Sequence, residues 1–173
     1  GNYGCTLTKY NAAGELMWST YFGGNGDDNA NGIDFDNNNN IYIAIQTGTN
    51  SGLAHLGYRG SNAGGQDAML AKFNPDGDRL WSTYYGGTAE DMGKAVAVSG
   101  EYVFLCGHTY SHSGIAAYAY QNTIGGNGDA LLAKFDVFGN FYWATYAGGF
   151  WDEFGRTIQI LNDETIIFGG KTF

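Results

Sequence analysis

The chain has little of what several classes of protein require. Its 173 residues contain one proline, two cysteines and only eight lysines and arginines, against 17 aspartates and glutamates. The resulting formal charge of −9 argues against nucleic acid as a partner, because phosphates require a basic surface, and against an anionic membrane surface. No apolar run is long enough to span a bilayer as a helix, so membrane insertion is not expected.

What the chain contains in abundance indicates short strands joined by turns. Glycine occurs 29 times and aromatic residues make up 16% of the sequence, while the long Ala, Leu, Glu and Lys stretches typical of helices are missing. Aromatic and β-branched segments bounded by glycine are typical of strands. The composition therefore predicts an all-β protein.

One sequence pattern occurs three times along the chain. In the middle copy, residues 71–87 read as a strand with Lys72, a tight Asn-Pro-Asp-Gly turn, a strand with Trp81 and a Gly-Gly break. Residues 8–24 and 133–149 repeat it, with steps of 63 and 62 residues between the lysines. A fixed period makes each copy one supersecondary unit. The copies span about 4–66, 67–128 and 129–173, and we expect the recurring lysines to have a structural role.

Each period contains four segments with strand character. In the middle copy these are residues 68–73, 79–85, 95–98 and 102–108. Polar turns at 36–40, 99–101 and 162–164 join the last two segments of each copy, and 19-residue loops follow at 48–66 and 110–128. A four-stranded antiparallel sheet repeated at a fixed period is the blade of a β-propeller. The fold prediction is therefore a β-propeller with blades of 62–63 residues.

The residues of these copies resemble a known family. The string Asp-Ala-Met-Leu-Ala-Lys-Phe-Asn-Pro-Asp-Gly at 67–77, followed by Leu80–Gly87 and Glu90-Asp91, is similar to the SBBP-type β-propeller repeat. That resemblance implies a large secreted or surface-displayed bacterial protein. It implies no catalytic residue, since the family has no uniform activity. Two departures stand out: Gly4-Cys5 replaces Asp-Ala in the first copy, and Ala30 replaces a glycine.

Residues 32–36 and 41–44 also resemble the two inner strands of NHL-type blades. By that likeness, the four strands of a blade are labelled A to D from the innermost to the outermost. The recurring lysine then lies on strand C and the recurring tryptophan on strand D. The chain then holds strands C and D of one blade, two complete blades, and strands A and B of another. Rings take about four to eight blades. We expect an excerpt of a longer chain; the alternative is that further copies exchange strands to complete the half-blades.

The cysteines occupy non-equivalent positions in the repeat. Cys5 and Cys106 both fall on predicted strands. Buried free thiols are the default expectation, and a disulfide requires that the fold bring the two strands together.

We expect ligand contacts at positions where the three copies differ in sequence. These positions are expected on the face of the blades that carries the D-to-A connections and the long B-to-C loops. Trp151 follows Phe150 in a D-to-A connection, where the other copies have Gly26 and Ala89. The pair suits stacking on a sugar ring, with loop packing as the alternative. His108 ends a predicted strand and His112 follows in the second long loop, so a helical metal site is not predicted. Ordinary surface histidines are the favoured interpretation, with a ligand contact as the alternative. The candidate ligand-binding residues are Phe150, Trp151, Tyr110, Tyr118, His108 and His112.

An acidic pair follows each Gly-Gly break, at Asp27-Asp28, Glu90-Asp91 and Asp152-Glu153. Such pairs could bind Ca²⁺, act as acid and base on a glycosidic bond, or accept hydrogen bonds from turn amides. Recurrence favours the last role, because a catalytic site is normally built once. Calcium remains the one cofactor considered for these six residues.

The sequence thus favours a non-catalytic binding or scaffold propeller, an adhesin or glycan-binding segment of a secreted or surface protein. One alternative is a polysaccharide hydrolase or lyase that uses Asp152 and Glu153 beside Trp151. Another is a purely structural propeller completed by strand exchange. The expected partners are further blades, from the same chain or another copy, and a glycan or surface protein.

Overall fold

The computed structural model describes residues 3–161 and 165–173 and contains twelve strands. The turn predicted at 162–164 lies outside these residues. Within them there is no helix of the length and apolarity needed to cross a membrane. The strands are β1 (Cys5–Tyr10), β2 (Leu16–Phe22), β3 (Asp28–Phe35), β4 (Ile41–Thr47), β5 (Asp67–Phe73), β6 (Arg79–Tyr85), β7 (Asp91–Ser99), β8 (Tyr102–Thr109), β9 (Asp129–Asp136), β10 (Phe141–Ala147), β11 (Glu153–Ile160) and β12 (Ile166–Thr172).

The strands form four antiparallel sheets. Two are complete blades with the orders β3-β4-β5-β6 and β7-β8-β9-β10, and two are half-blades, β1-β2 and β11-β12. The prediction of an all-β propeller with strands A, B, C and D in sequence order is confirmed. The arc of sheets does not close into a ring.

Successive blades converge at their innermost strands. Strand β7 contacts β3 and β4 of the blade before it and β11 of the half-blade after it. Glycine permits this approach: a Cβ atom on Gly93 would lie 2.6 Å from the backbone oxygen of Ile45, and one on Gly155 would meet the backbone of Gly107. Because a side chain at either position would push the blades apart, the innermost strands need glycine there.

The core lies between the blades. Strands β4 and β5 have apolar residues on both faces, and all their residues except Gln46 are buried. The largest cluster joins the two complete blades and includes Tyr42, Leu70, Trp81, Leu105 and Phe135. This is the burial expected of a sheet covered by a neighbour on each side.

A recurring pair of hydrogen bonds joins each blade to the next. Lys72 Nζ and Trp81 Nε1 both donate to the backbone oxygen of Val137, each at 3.0 Å. Val137 lies in the C-to-D turn of the following blade. That turn also carries Gly139, at φ +89°, whose added Cβ would lie 3.0 Å from the Trp81 ring. The lysine, the tryptophan and the turn glycine thus form one device between blades, which we call the Lys–Trp pair.

The same two hydrogen bonds occur one blade earlier, whereas one blade later the described residues supply no acceptor carbonyl. Lys9 and Trp18 both donate to the backbone oxygen of Pro75 at 3.0 Å. In the last copy Lys134 lies 3.4 Å from the ring centroid of Tyr102. Within the described residues no turn carbonyl receives the Trp143 indole. We expected a structural role for the recurring lysines, and these hydrogen-bond and cation–π contacts between side chains and neighbouring strands or turns are such a role.

Both cysteines are buried free thiols, so the disulfide alternative is wrong. Burial raises the pKa of Cys106 to about 12, and burial with the nearby Asp28 carboxylate raises the pKa of Cys5 to about 11. Neither thiol is reactive at neutral pH, because the thiolate is the nucleophile.

The Lys–Trp pair predicts a difference between two tryptophans. Trp81→Phe removes the bond to the Val137 carbonyl and should destabilise the fold by about 1–3 kcal/mol, measured by urea unfolding followed by circular dichroism. Trp143→Phe is the matched control, because its indole donates to no described carbonyl, and should cost about 1 kcal/mol less. Equal losses in the two variants would contradict the proposed role.

Candidate binding site on the loop face

The D-to-A connections and the ends of the long B-to-C loops meet on one face of the blades. A Cβ atom added to Gly126, in the second long loop, would lie 2.6 Å from the backbone oxygen of Trp151 and 2.9 Å from that of Phe150. The long loop therefore packs directly against the D-to-A connection that carries the aromatic pair.

The middle of each long loop leaves this face and follows the outer edge of its blade. His55 and Ser82 exchange two backbone hydrogen bonds, at 3.0 and 2.9 Å. Ala117 and Ala144 do the same at 2.9 and 3.0 Å. The loops thus cover the exposed edge of strands β6 and β10, which would otherwise offer unpaired backbone groups.

The second acid of each recurring pair closes the D-to-A turn. Asp91 is fully buried, and its Oδ2 accepts a hydrogen bond from the Gly87 amide at 2.7 Å and one from the Ser111 hydroxyl at 2.9 Å. These bonds hold the start of strand β7 against the second long loop.

Equivalent bonds occur in the other two copies. Asp28 Oδ2 accepts from the Gly24 amide and the Thr49 hydroxyl, at 2.8 and 2.9 Å, and Glu153 Oε2 accepts from the Gly149 amide at 2.8 Å. The geometry favours the turn-closing role for these acids. Within the described part of the chain, no group of three or more His, Cys, Asp or Glu side chains could hold a metal ion.

The first acid of each pair is more accessible to solvent than the buried Asp28 and Asp91. Asp27 and Glu90 are exposed and Asp152 is half-buried. In the first two pairs one carboxylate is exposed and the other buried, whereas Asp152 and Glu153 are both half-buried. The six residues form no common metal centre among the described residues.

A second carboxylate, in the first complete blade, lies beside Asp91, the turn-closing acid that begins the second complete blade. Asp67 and Asp91 are both fully buried, and a Cβ atom added to Gly86 would lie 2.7 Å from an oxygen of each. The Oδ1 atoms of both have no hydrogen-bond partner among the described residues. Burial raises the pKa of Asp67 to about 6, and the charge of Asp91 adds to the rise. The Arg59 guanidinium, which donates to the Gly86 carbonyl, partly offsets it.

Sequence reasoning missed this buried pair, although a signal was present. Aspartate begins strand C in both complete blades, at Asp67 and Asp129, whereas Gly4 takes its place in the first copy. There the Tyr21 side chain occupies the space: a Cβ atom on Gly4 would collide with the tyrosine hydroxyl. The departure at Gly4 is thus compensated within the same half-blade.

Two of the candidate ligand residues are used in packing between blades. His108 is only 6% exposed, and its ring centroid lies 4.5 Å from that of Phe154. Burial, helped by the charges of Lys94 and Arg156, lowers the pKa of His108 to about 4, so the imidazole is neutral at pH 7. Tyr110 is half-buried, with its ring centroid 6.3 Å from the same phenylalanine.

The remaining candidates face solvent. Phe150 and Trp151 are 80% and 63% exposed, and their ring centroids lie 5.3 Å apart at an interplanar angle of 86°. Tyr118 is 90% exposed with φ +54°, and His112 is exposed. The structure thus brings Phe150 and Trp151 together as a contiguous aromatic surface. Tyr118 makes no ring contact with either of them within the described residues.

One family comparison matches the chain. Residues 18–48 match the SBBP family, described as a β-propeller repeat. The chain carries an SBBP-type β-propeller repeat. The match runs from strand β2 through β4, so it spans the outer strand of one blade and the inner strands of the next. No curated protein is significantly similar to the chain. The repeat supports a binding or structural propeller module.

The buried carboxylates predict a stability that falls as pH rises. Asp67 has a raised pKa in the folded state, so the folded chain binds its proton more tightly than the unfolded chain does. The stabilisation from that proton is present below about pH 4 and is lost as pH rises to about 6. Asp67→Asn should therefore stabilise the fold at pH 7 by about 1–3 kcal/mol in urea unfolding. It should also flatten the decline between these pH values.

Asp129→Asn is the matched control at the equivalent position of the next blade. Both oxygens of Asp129 accept hydrogen bonds, including one from Gln121 at 2.7 Å, so the amide should stabilise nothing there. A loss of stability at pH 7 in Asp67→Asn would overturn the electrostatic account of this pair.

Proposed function

We propose that the chain is a non-catalytic binding module of a β-propeller that presents Phe150 and Trp151 to a glycan. The observation that carries the proposal is the exposure of these two rings, in contact with each other, on a connection where the other blades have small or polar residues. Large exposed aromatic surfaces rimmed by polar groups mark interaction sites. The Trp151 indole combines an apolar face with a hydrogen-bonding group, which suits a ligand rich in hydroxyls.

The connection that carries the rings is held from both sides. The Gly149 amide donates to Glu153 at 2.8 Å, and Gly126 packs on the carbonyls of the two aromatic residues. A ligand therefore meets rings whose backbone is already fixed, which lowers the ordering cost of binding.

The same contacts speak against the enzymatic alternative. Both carboxylate oxygens of Glu153 accept hydrogen bonds, one from Gly149 and one from the Thr172 hydroxyl at 3.0 Å. Asp152 then stands as a single carboxylate beside Trp151, whereas glycoside hydrolysis by the usual route needs two acting on one bond.

The setting proposed is a large secreted or surface-displayed bacterial protein in which the module serves adhesion. This part rests on the resemblance of the repeats to those of such proteins, and the acidic composition agrees with it. Further blades are the proposed partners at the open Lys–Trp pair of Lys134 and Trp143, supplied by the rest of a longer chain or by another copy. Sedimentation velocity separates the sources: a species above 18.6 kDa that Trp143→Asp dissociates would indicate another copy. A monomer would exclude another copy as the source.

A glycan array tests the binding proposal. We expect the chain to bind a subset of glycans and Trp151→Ala to lose at least about tenfold in affinity, the scale of a central aromatic contact. Phe138→Ala is the matched control, since Phe138 is 71% exposed in a C-to-D turn on the opposite face. Running the array with calcium and with a chelator tests the cation alternative. Absence of binding in both conditions, or equal loss in the two variants, would contradict the proposal.

A further inference from the structure

Two basic residues occupy equivalent positions on neighbouring innermost strands. Lys94 in β7 and Arg156 in β11 each fall where the pairing with the adjacent strand shifts register by one residue. Such a bulge leaves one residue out of the ladder and redirects its side chain, and bulges are common beside binding sites. The first complete blade has the same shift at the uncharged Asn31, whose amide donates to the Gly93 carbonyl at 2.8 Å.

Neither cation has a counterion within the described residues. The one ion pair there joins Lys72 and Asp36, although acids outnumber bases by 17 to eight in the sequence. Lys94 is half-buried and donates to the neutral Gln46 side chain at 2.9 Å. Arg156 is exposed and makes no hydrogen bond through its guanidinium to a described residue. A partly buried charge without a counterion is unfavourable, so an anion beside Lys94 would stabilise the fold.

The carboxylates closest along each strand are already engaged. Asp91 and Glu153 stand three residues before Lys94 and Arg156, and they accept hydrogen bonds from the turn amides described above. The charge of Arg156 lowers the pKa of Lys94, after the larger effect of burial, and both cations act on His108. The charges of both cations thus reach neighbouring side chains, and neither cation forms an ion pair with a described carboxylate.

We propose that Lys94 and Arg156 form a binding site for an oxyanion, the carboxylate, sulfate or phosphate group of an acidic ligand, at the inner edge of the blades. Arginine offers a planar fork that matches two oxygens of such a group, and lysine adds a compact charge beside it. The Gln46 amide, which holds the lysine, positions it. The site does not depend on Phe150 and Trp151, and the buried His108 does not contact the ligand.

Calorimetric titration of the intact chain tests the site with three probes: sodium phosphate, sodium glucuronate and neutral glucose. We expect saturable binding of the oxyanions and none of glucose. Arg156→Gln and Lys94→Gln should each lower the affinity by about tenfold, the loss of one charge-assisted contact. Lys134→Gln makes the same change of charge away from the inner strands and should bind as the unmodified chain does. Tighter binding of glucuronate would identify an acidic sugar as the ligand class, and tighter binding of phosphate a phosphate group.

The His108 imidazole gives a second readout by NMR. Because the two cations lower its pKa, an anion bound between them should raise it, while glucose should leave it unchanged. Lack of saturation with either oxyanion would overturn the proposal. Unchanged affinity in both glutamine variants, or a His108 pKa that does not respond to saturating ligand, would overturn it equally.

Discussion

The arrangement of the blades depends on a backbone carbonyl that receives two donors from the preceding blade. Lys72 and Trp81 reach across the core to Val137, and Lys9 and Trp18 do the same to Pro75. Hydrophobic packing between sheets is not directional and would tolerate sliding. At these two interfaces, two hydrogen bonds to one atom fix the offset of one blade against the next, and the turn glycine allows the indole to approach.

This contact explains why sequence reasoning succeeded with the scaffold. A device that spans two blades must recur in every copy, so the lysine, the tryptophan and the turn glycine recur together at a step of 62–63 residues. The period, the four strands and their order follow from that recurrence. The burial of β4 and β5 likewise follows from apolar residues on both of their faces.

The site was less predictable, because burial depends on partners distant in sequence. His108 differs from its counterparts Gln46 and Lys171, which suggested a ligand contact, yet Phe154 of the following half-blade covers it. Asp67 reads as part of a repeated motif, and only the fold brings it beside Asp91. The long loops, expected on one face, also follow the outer strands through backbone bonds that no side-chain pattern reveals. Difference between copies is therefore a useful guide to function only for residues that remain exposed.

The basic residues likewise divide into those used in packing and those that remain available to a ligand. Five of the eight have roles in packing: three are the recurring lysines of strand C, and Arg59 and Arg79 donate to backbone carbonyls of Gly86 and Leu53. The other three, Lys94, Arg156 and Lys171, all lie on the inner two strands of the last blades. A chain with a net charge of −9 repels anions over most of its surface, so among the described residues we expect an anionic group to be favoured near Lys94 and Arg156, which form no ion pair with a carboxylate. Under the two proposals, the inner edge of the blades takes an acidic ligand and the exposed aromatic pair takes a neutral one.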